Sequence, residues 1–122
     1  MSRFRFPVFA AVAFACLSSC VPRETLDVSF YYQTLCASCG ESRDNQVLLS
    51  LLTEAARSAR HARVKLAAYD AADDAAIACL LESYDAFAVP ESDRRLPIAF
   101  AGGAYYAGVT GIEELAQVLR SR

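Results

Sequence analysis

Two cysteines three residues apart, Cys36 and Cys39 in the run Cys36-Ala37-Ser38-Cys39, are the side chains in this sequence best suited to chemistry. A thiolate is a nucleophile and a soft metal ligand, so the pair is open to disulfide exchange or to metal binding. A zinc site usually needs four ligands, and the chain carries no second Cys-x-x-Cys and no histidine pair, His61 being the lone histidine. If Cys36 opens a helix, the unpaired N–H groups and the helix dipole there stabilise its thiolate and lower its pKa below the free value of about 8.5. Residues three apart share a helix face, so Cys39 is placed to attack a mixed disulfide formed on Cys36. Cys36 is then the attacking thiol and Cys39 the resolving one. A purely structural disulfide is the alternative, although so small a ring constrains the unfolded chain weakly.

Other reactive types read more plainly. Cys79 sits in the apolar stretch Ala75–Leu81 and is expected as a buried free thiol packing as a small hydrophobe. His61 ends a charged segment, 57–63, where a cation suits a helix C-terminus. Tyr31, Tyr32, Tyr105 and Tyr106 belong to strand-like runs and are expected in the core or on sheet faces.

The elements that must position the cysteines follow from periodicity. Residues 26–32 (LDVSFYY) alternate and carry aromatic and β-branched side chains, which predicts a strand ending just before Cys36. Val47, Leu48, Leu51, Leu52, Ala55, Ala56 and Ala59 recur at helical spacing, predicting a helix over about 36–60. A second strand is expected at 64–69, then a helix over about 71–87 with Asp70 as its N-cap. A third strand is expected at 96–101, a two-residue hairpin turn at Gly102-Gly103, a returning strand at 104–107, and a last helix over 112–119. The order β-α-β-α-β-β-α predicts an α/β fold whose mixed four-stranded sheet is flanked by helices. Strands joined through a helix run parallel, and the hairpin adds an antiparallel strand.

Composition narrows the classes. The chain has 122 residues, 55% of them apolar, enough for one packed domain and too many for a disordered chain. A net charge of −2, with Lys65 the sole lysine, supplies no basic field for nucleic acid. At the N-terminus Arg3 and Arg5 precede ten apolar residues, 8–17, half of the roughly 20 needed to span a bilayer. That is the pattern of an export signal. The Leu17-Ser18-Ser19-Cys20 run resembles the lipobox of bacterial lipoproteins. The resemblance implies a signal peptide over 1–19, cleavage before Cys20, lipid on the Cys20 thiol, a short connector completing 20–25, and a domain over 26–122. It also implies a place in the bacterial cell envelope, held to the membrane by lipid and facing the periplasm or the exterior.

The strand leading to Cys36-Ala37-Ser38-Cys39, the Leu96-Pro97 pair opening the third strand, and the hairpin followed by a last helix together resemble the thioredoxin superfamily. The resemblance covers about 26–119. It implies a thioredoxin-like fold and thiol–disulfide exchange on protein thiols and disulfides; the five residues 21–25 between a lipidated Cys20 and the first strand span at most about 18 Å, so membrane-proximal partners, an integral-membrane redox partner included, are expected. It further implies that Pro97 is cis and faces Cys36, with the backbone at Leu96 and Pro97 pairing with substrate. Val89-Pro90 is the competing proline, but it precedes a polar stretch that suits a loop. The chain departs from the family in having Leu35 where a Trp commonly precedes the first cysteine, and Phe30 where an acidic strand residue commonly stands; Asp27 is expected to face solvent. No cofactor beyond the Cys36–Cys39 disulfide, no bound metal and a monomeric state are expected. Two alternatives stay open: a thioredoxin-fold module binding a soft metal such as copper, and a redox-inactive structural lipoprotein.

Overall fold

In β1 (Glu24–Tyr32) the alternation read from the sequence becomes two faces: Leu26, Val28 and Phe30 are buried on one, while Asp27 is exposed on the other. The structure is a computed structural model that describes residues 24–34 and 40–122. β1 pairs in parallel with β2 (Ala62–Asp70) over nine positions, from Glu24 beside Ala62 to Tyr32 beside Asp70. Its other edge pairs antiparallel with β3 (Ile98–Ala101), and β3 pairs with β4 (Ala104–Ala107). The fold is thus α/β, a mixed four-stranded sheet in the order β2-β1-β3-β4.

Three helices cover it. α1 (Gly40–Ser58) and α3 (Gly108–Arg120) lie on one face, where Leu48, Leu52, Ala55, Ile112, Leu115 and Leu119 close over Leu26, Val28, Phe30 and Ala99. Phe30, Leu52, Ile112, Leu115 and Leu119 are fully buried, and each such side chain contributes about 1.5–3 kcal/mol of transfer free energy. α2 (Asp74–Ala86) covers the other face with Leu80 and Tyr84, against Tyr31, Ile98 and Phe100.

Element ends depart from the sequence reading in instructive ways. β1 starts at Glu24 rather than Leu26, because Glu24 and Thr25 find partners in Ala62 and Arg63. Asp70 is not a helix cap. It is the last residue of β2, and its carboxylate accepts from the Ala72 amide in a turn; Asp73 caps α2 by accepting from Ala75. α3 begins at Gly108, four residues before the expected start. The Gly102-Gly103 turn has φ of 57° and 78°, the two positive angles of a type I′ hairpin. Gly111 holds α3 against β4: a Cβ there would stand 2.7 Å from the Tyr106 carbonyl carbon.

Two side chains face away from where they were expected. Val47 lies beside, not on, the Leu48–Leu52–Ala55 stripe and is 62% exposed. Cys79 is exposed rather than buried, because the inward stripe of α2 is Ala76, Leu80 and Tyr84 and Cys79 falls outside it.

Candidate functional site

Cys36 and Cys39, and the helix start expected at Cys36, lie outside the described residues, as does Cys20. The frame around residues 35–39 is described. The chain leaves β1 at Tyr32, passes Gln33 and Thr34, and is a helix from Gly40. Asn45, on the second turn of α1, is the buried polar side chain of this region, and its Nδ2 donates to the Gln33 carbonyl at 3.1 Å. One hydrogen bond therefore ties together the two segments that residues 35–39 join. Beside it lies a cavity of about 200 Å³ lined by Tyr32, Thr34, Asn45, Gln46 and Leu49. The Tyr32 carbonyl is satisfied by the Ala71 amide at 2.7 Å, which fixes the end of β1 against the end of β2.

Leu96 and Pro97 reach the same end of the sheet. Tyr31 pairs with Ile98, so the antiparallel register brings Pro97 level with Tyr32. The Leu96–Pro97 peptide bond is cis. The Pro97 carbonyl accepts from the Gly108 amide at 2.7 Å, so the start of β3 is bonded to the start of α3. Leu96 is half-buried against the core formed by Tyr84, Phe100 and their neighbours. Pro90, by contrast, precedes a short 3-10 turn, Glu91–Asp93.

The segment leading into Leu96 is anchored by its charges. Arg94 donates Nε to the Val89 carbonyl at 2.9 Å, meets Asp85 at 3.3 Å and lies over the Tyr84 ring, 5.3 Å from its centroid. Arg95 lies against Gly108, whose φ is +73°, with its guanidinium 3.4 Å from where a Cβ would be. Tyr105 donates its hydroxyl to Asp93 at 2.8 Å, and that bond to the carboxylate holds the Tyr105 proton in place and raises its pKa above the ordinary value. Burial raises Tyr31 and Tyr84 in the same direction, Arg94 partly opposing this at Tyr84.

No protein-family model matches the chain, and no curated protein or solved structure gives a significant match. Among the described residues, no group of three or more His, Cys, Asp or Glu side chains is gathered as a metal would require. His61 precedes β2, at the end of the sheet opposite Tyr32, where its amide bonds the Arg122 carbonyl. No helix among the described residues is long and apolar enough to cross a membrane.

Asn45 and the Tyr105–Asp93 pair escaped the sequence reading. Asn45 carries one available signal, a polar residue three positions before Leu48 and therefore on the inward side of α1. The Tyr105–Asp93 bond has no sequence signal, since it joins the 3-10 turn to β4.

Proposed function

We propose that this chain is a thiol–disulfide oxidoreductase of the thioredoxin type, working through Cys36 and Cys39 on exported or membrane-proximal proteins. The observation that carries the reading is convergence at one end of the sheet. The end of the central strand β1, the first turns of α1, the start of β3 at Pro97 and the start of α3 at Gly108 lie at one end of the sheet, beside the segments that flank residues 35–39. A Cys-x-x-Cys pair in that junction stands between a strand end and a helix start, the position that favours a thiolate.

In the reductive direction the Cys36 thiolate attacks one sulfur of a substrate disulfide, and the other leaves as a thiolate. The Cys39 thiolate then attacks Cys36 Sγ, expelling the second substrate sulfur. Two electrons pass to the substrate, and the Cys36–Cys39 disulfide remains. The reverse sequence oxidises a substrate dithiol. Leu96 and Pro97 supply the backbone against which an extended substrate lies. Lipid on Cys20 keeps the domain beside its membrane: residues 21–23 span at most about 10 Å when extended, which favours membrane-attached partners.

The test is trapping. Cys39→Ala is expected to accumulate mixed disulfides on Cys36 that cannot resolve, and Cys36→Ala to accumulate none. Acid-quenched cell extracts run on non-reducing gels make the comparison. Equal adducts in both variants overturn the assignment of roles, and no adduct in either, with no insulin reduction by the wild-type chain, overturns the reading itself.

A further inference from the structure

β2 is an edge strand of nine residues, and among the described residues nothing pairs with its outer side. An edge of that length presents a row of unpaired N–H and C=O groups, which proteins usually shorten, bulge, cover or guard with charges; the central charges here, Arg63 and Lys65, both stand on the face away from α1. Its flank toward α1 is open and partly apolar. Val64 and Leu66 are only half-buried and, with Ala56, Thr53 and Arg57, line a groove between β2 and α1. On the opposite face Tyr69 is 39% exposed, one side of its ring stacked on Tyr31 at 5.1 Å.

We infer that β2 pairs with β2 of a second copy of this chain, antiparallel about a two-fold axis at Leu66, joining two four-stranded sheets into one. The charges of the strand favour that register. A two-fold axis normal to the sheet keeps each face on its own side, so the centre must fall on a residue. Centring on Val64 sets Arg63 opposite Lys65 of the second copy, and centring on Lys65 sets the two lysines opposite each other. Like charges directly opposed are destabilising. Centring on Ala67 avoids that clash but sets Val64 opposite Asp70 and leaves the strand ends unpaired. Centring on Leu66 pairs the whole strand from Ala62 to Asp70. Leu66 then meets Leu66, Val64 meets Ala68, and the exposed Arg63 lies opposite the open Tyr69 ring, an arrangement suited to a cation–π contact. Lys65 lies opposite the small Ala67. The expectation of a monomer from sequence gives way, in this reading, to a two-fold dimer.

The Lys65–Ala67 pair occurs twice across the axis and provides the test. In the full chain, Ala67→Lys opposes like charges twice, and Ala67→Glu creates two attractive pairs. The double variants K65E/A67K and K65E/A67E reverse those signs, so the inference survives the loss of any one variant to misfolding. Sedimentation equilibrium in density-matched detergent, with circular dichroism confirming the fold, is expected to show a wild-type dimer. Its dissociation constant is expected to rise roughly two- to thirtyfold in A67K and K65E/A67E and fall by a similar factor in A67E and K65E/A67K. A monomeric wild type across the micromolar range overturns the inference. So does an association that ignores the sign of the charge product, which would point to another surface or to another protein's strand on this edge.

Discussion

Asn45 places a hydrogen bond between the two segments that flank residues 35–39, the stretch that carries Cys36 and Cys39. Its amide reaches the Gln33 carbonyl from within α1, and the side chain is 8% exposed. Removing one partner of a buried hydrogen bond leaves the other unsatisfied, at a cost of about 1–3 kcal/mol. Asn45→Leu is therefore expected to lower stability by that order, measured by urea unfolding. It should also alter the reduction potential of the Cys36–Cys39 pair, because it frees the end of β1 from the start of α1. An unchanged potential with lowered stability would leave Asn45 a role in packing alone. Cys79 teaches the complementary lesson at this scale. An apolar neighbourhood in sequence is not a buried one, for Ile77 and Leu81 are exposed beside it at 41% and 54%.

Among the elements, α3 shows how tightly this small sheet is covered. Gly111 lets the helix approach within contact of the Tyr106 backbone, and a methyl group there must displace main chain rather than a flexible side-chain end. Gly111→Ala is expected to cost about 1–3 kcal/mol by overpacking, despite the higher helix propensity of alanine. A thermal or denaturant midpoint at or above that of the wild type would show that α3 can shift without penalty. The same elements show what could be read in advance. The hairpin was legible because Gly102-Gly103 has one common use between two apolar runs, and β1 because its alternation is strict over Leu26, Val28 and Phe30. The start of α2 was not, since Asp70 and Asp73 are both plausible caps and only pairing with Tyr32 decides that Asp70 still belongs to the strand. Val47 misled because the sequence of α1 offers more than one apolar stripe, and the sheet and α3 select the one through Leu48, Leu52 and Ala55. Of the candidate site, Cys36 and Cys39 were singled out by residue type and spacing and lie outside the described residues, while Pro97 was singled out by the resemblance, and its peptide bond is cis. The convergence of Pro97, Gly108 and Gln33 was not legible, because it depends on register between segments far apart in the chain.

Over the whole molecule, protonated tyrosines are part of the stability balance. Tyr31 and Tyr84 are raised above the ordinary value of 10.0 chiefly by burial, and Tyr105 chiefly by its bond to Asp93. Each group holds its proton more tightly folded than unfolded. Their contribution is therefore fully present below pH 10, and is lost as pH rises through the folded-state values. Unfolding free energy is expected to be flat with respect to these groups near neutrality and to fall above pH 10. Tyrosinate absorbance should lag behind that of a denatured chain until the fold is lost. Tyr105→Phe should leave the direction of this trend intact, through Tyr31 and Tyr84, while reducing its extent.

The strand order β2-β1-β3-β4 also has a consequence for the order of synthesis. Among the described strands β1 is the first to emerge, yet both its edges stay open until later: one waits for Ala62–Asp70 and the other for Ile98–Ala101. Chains are made N-terminus first, so Phe30 and Tyr31 wait through most of translation for the neighbours that bury them. Cys36 and Cys39 emerge in the same interval, ahead of β2 and β3, when an oxidant or a chaperone can reach them as parts of an unfinished chain.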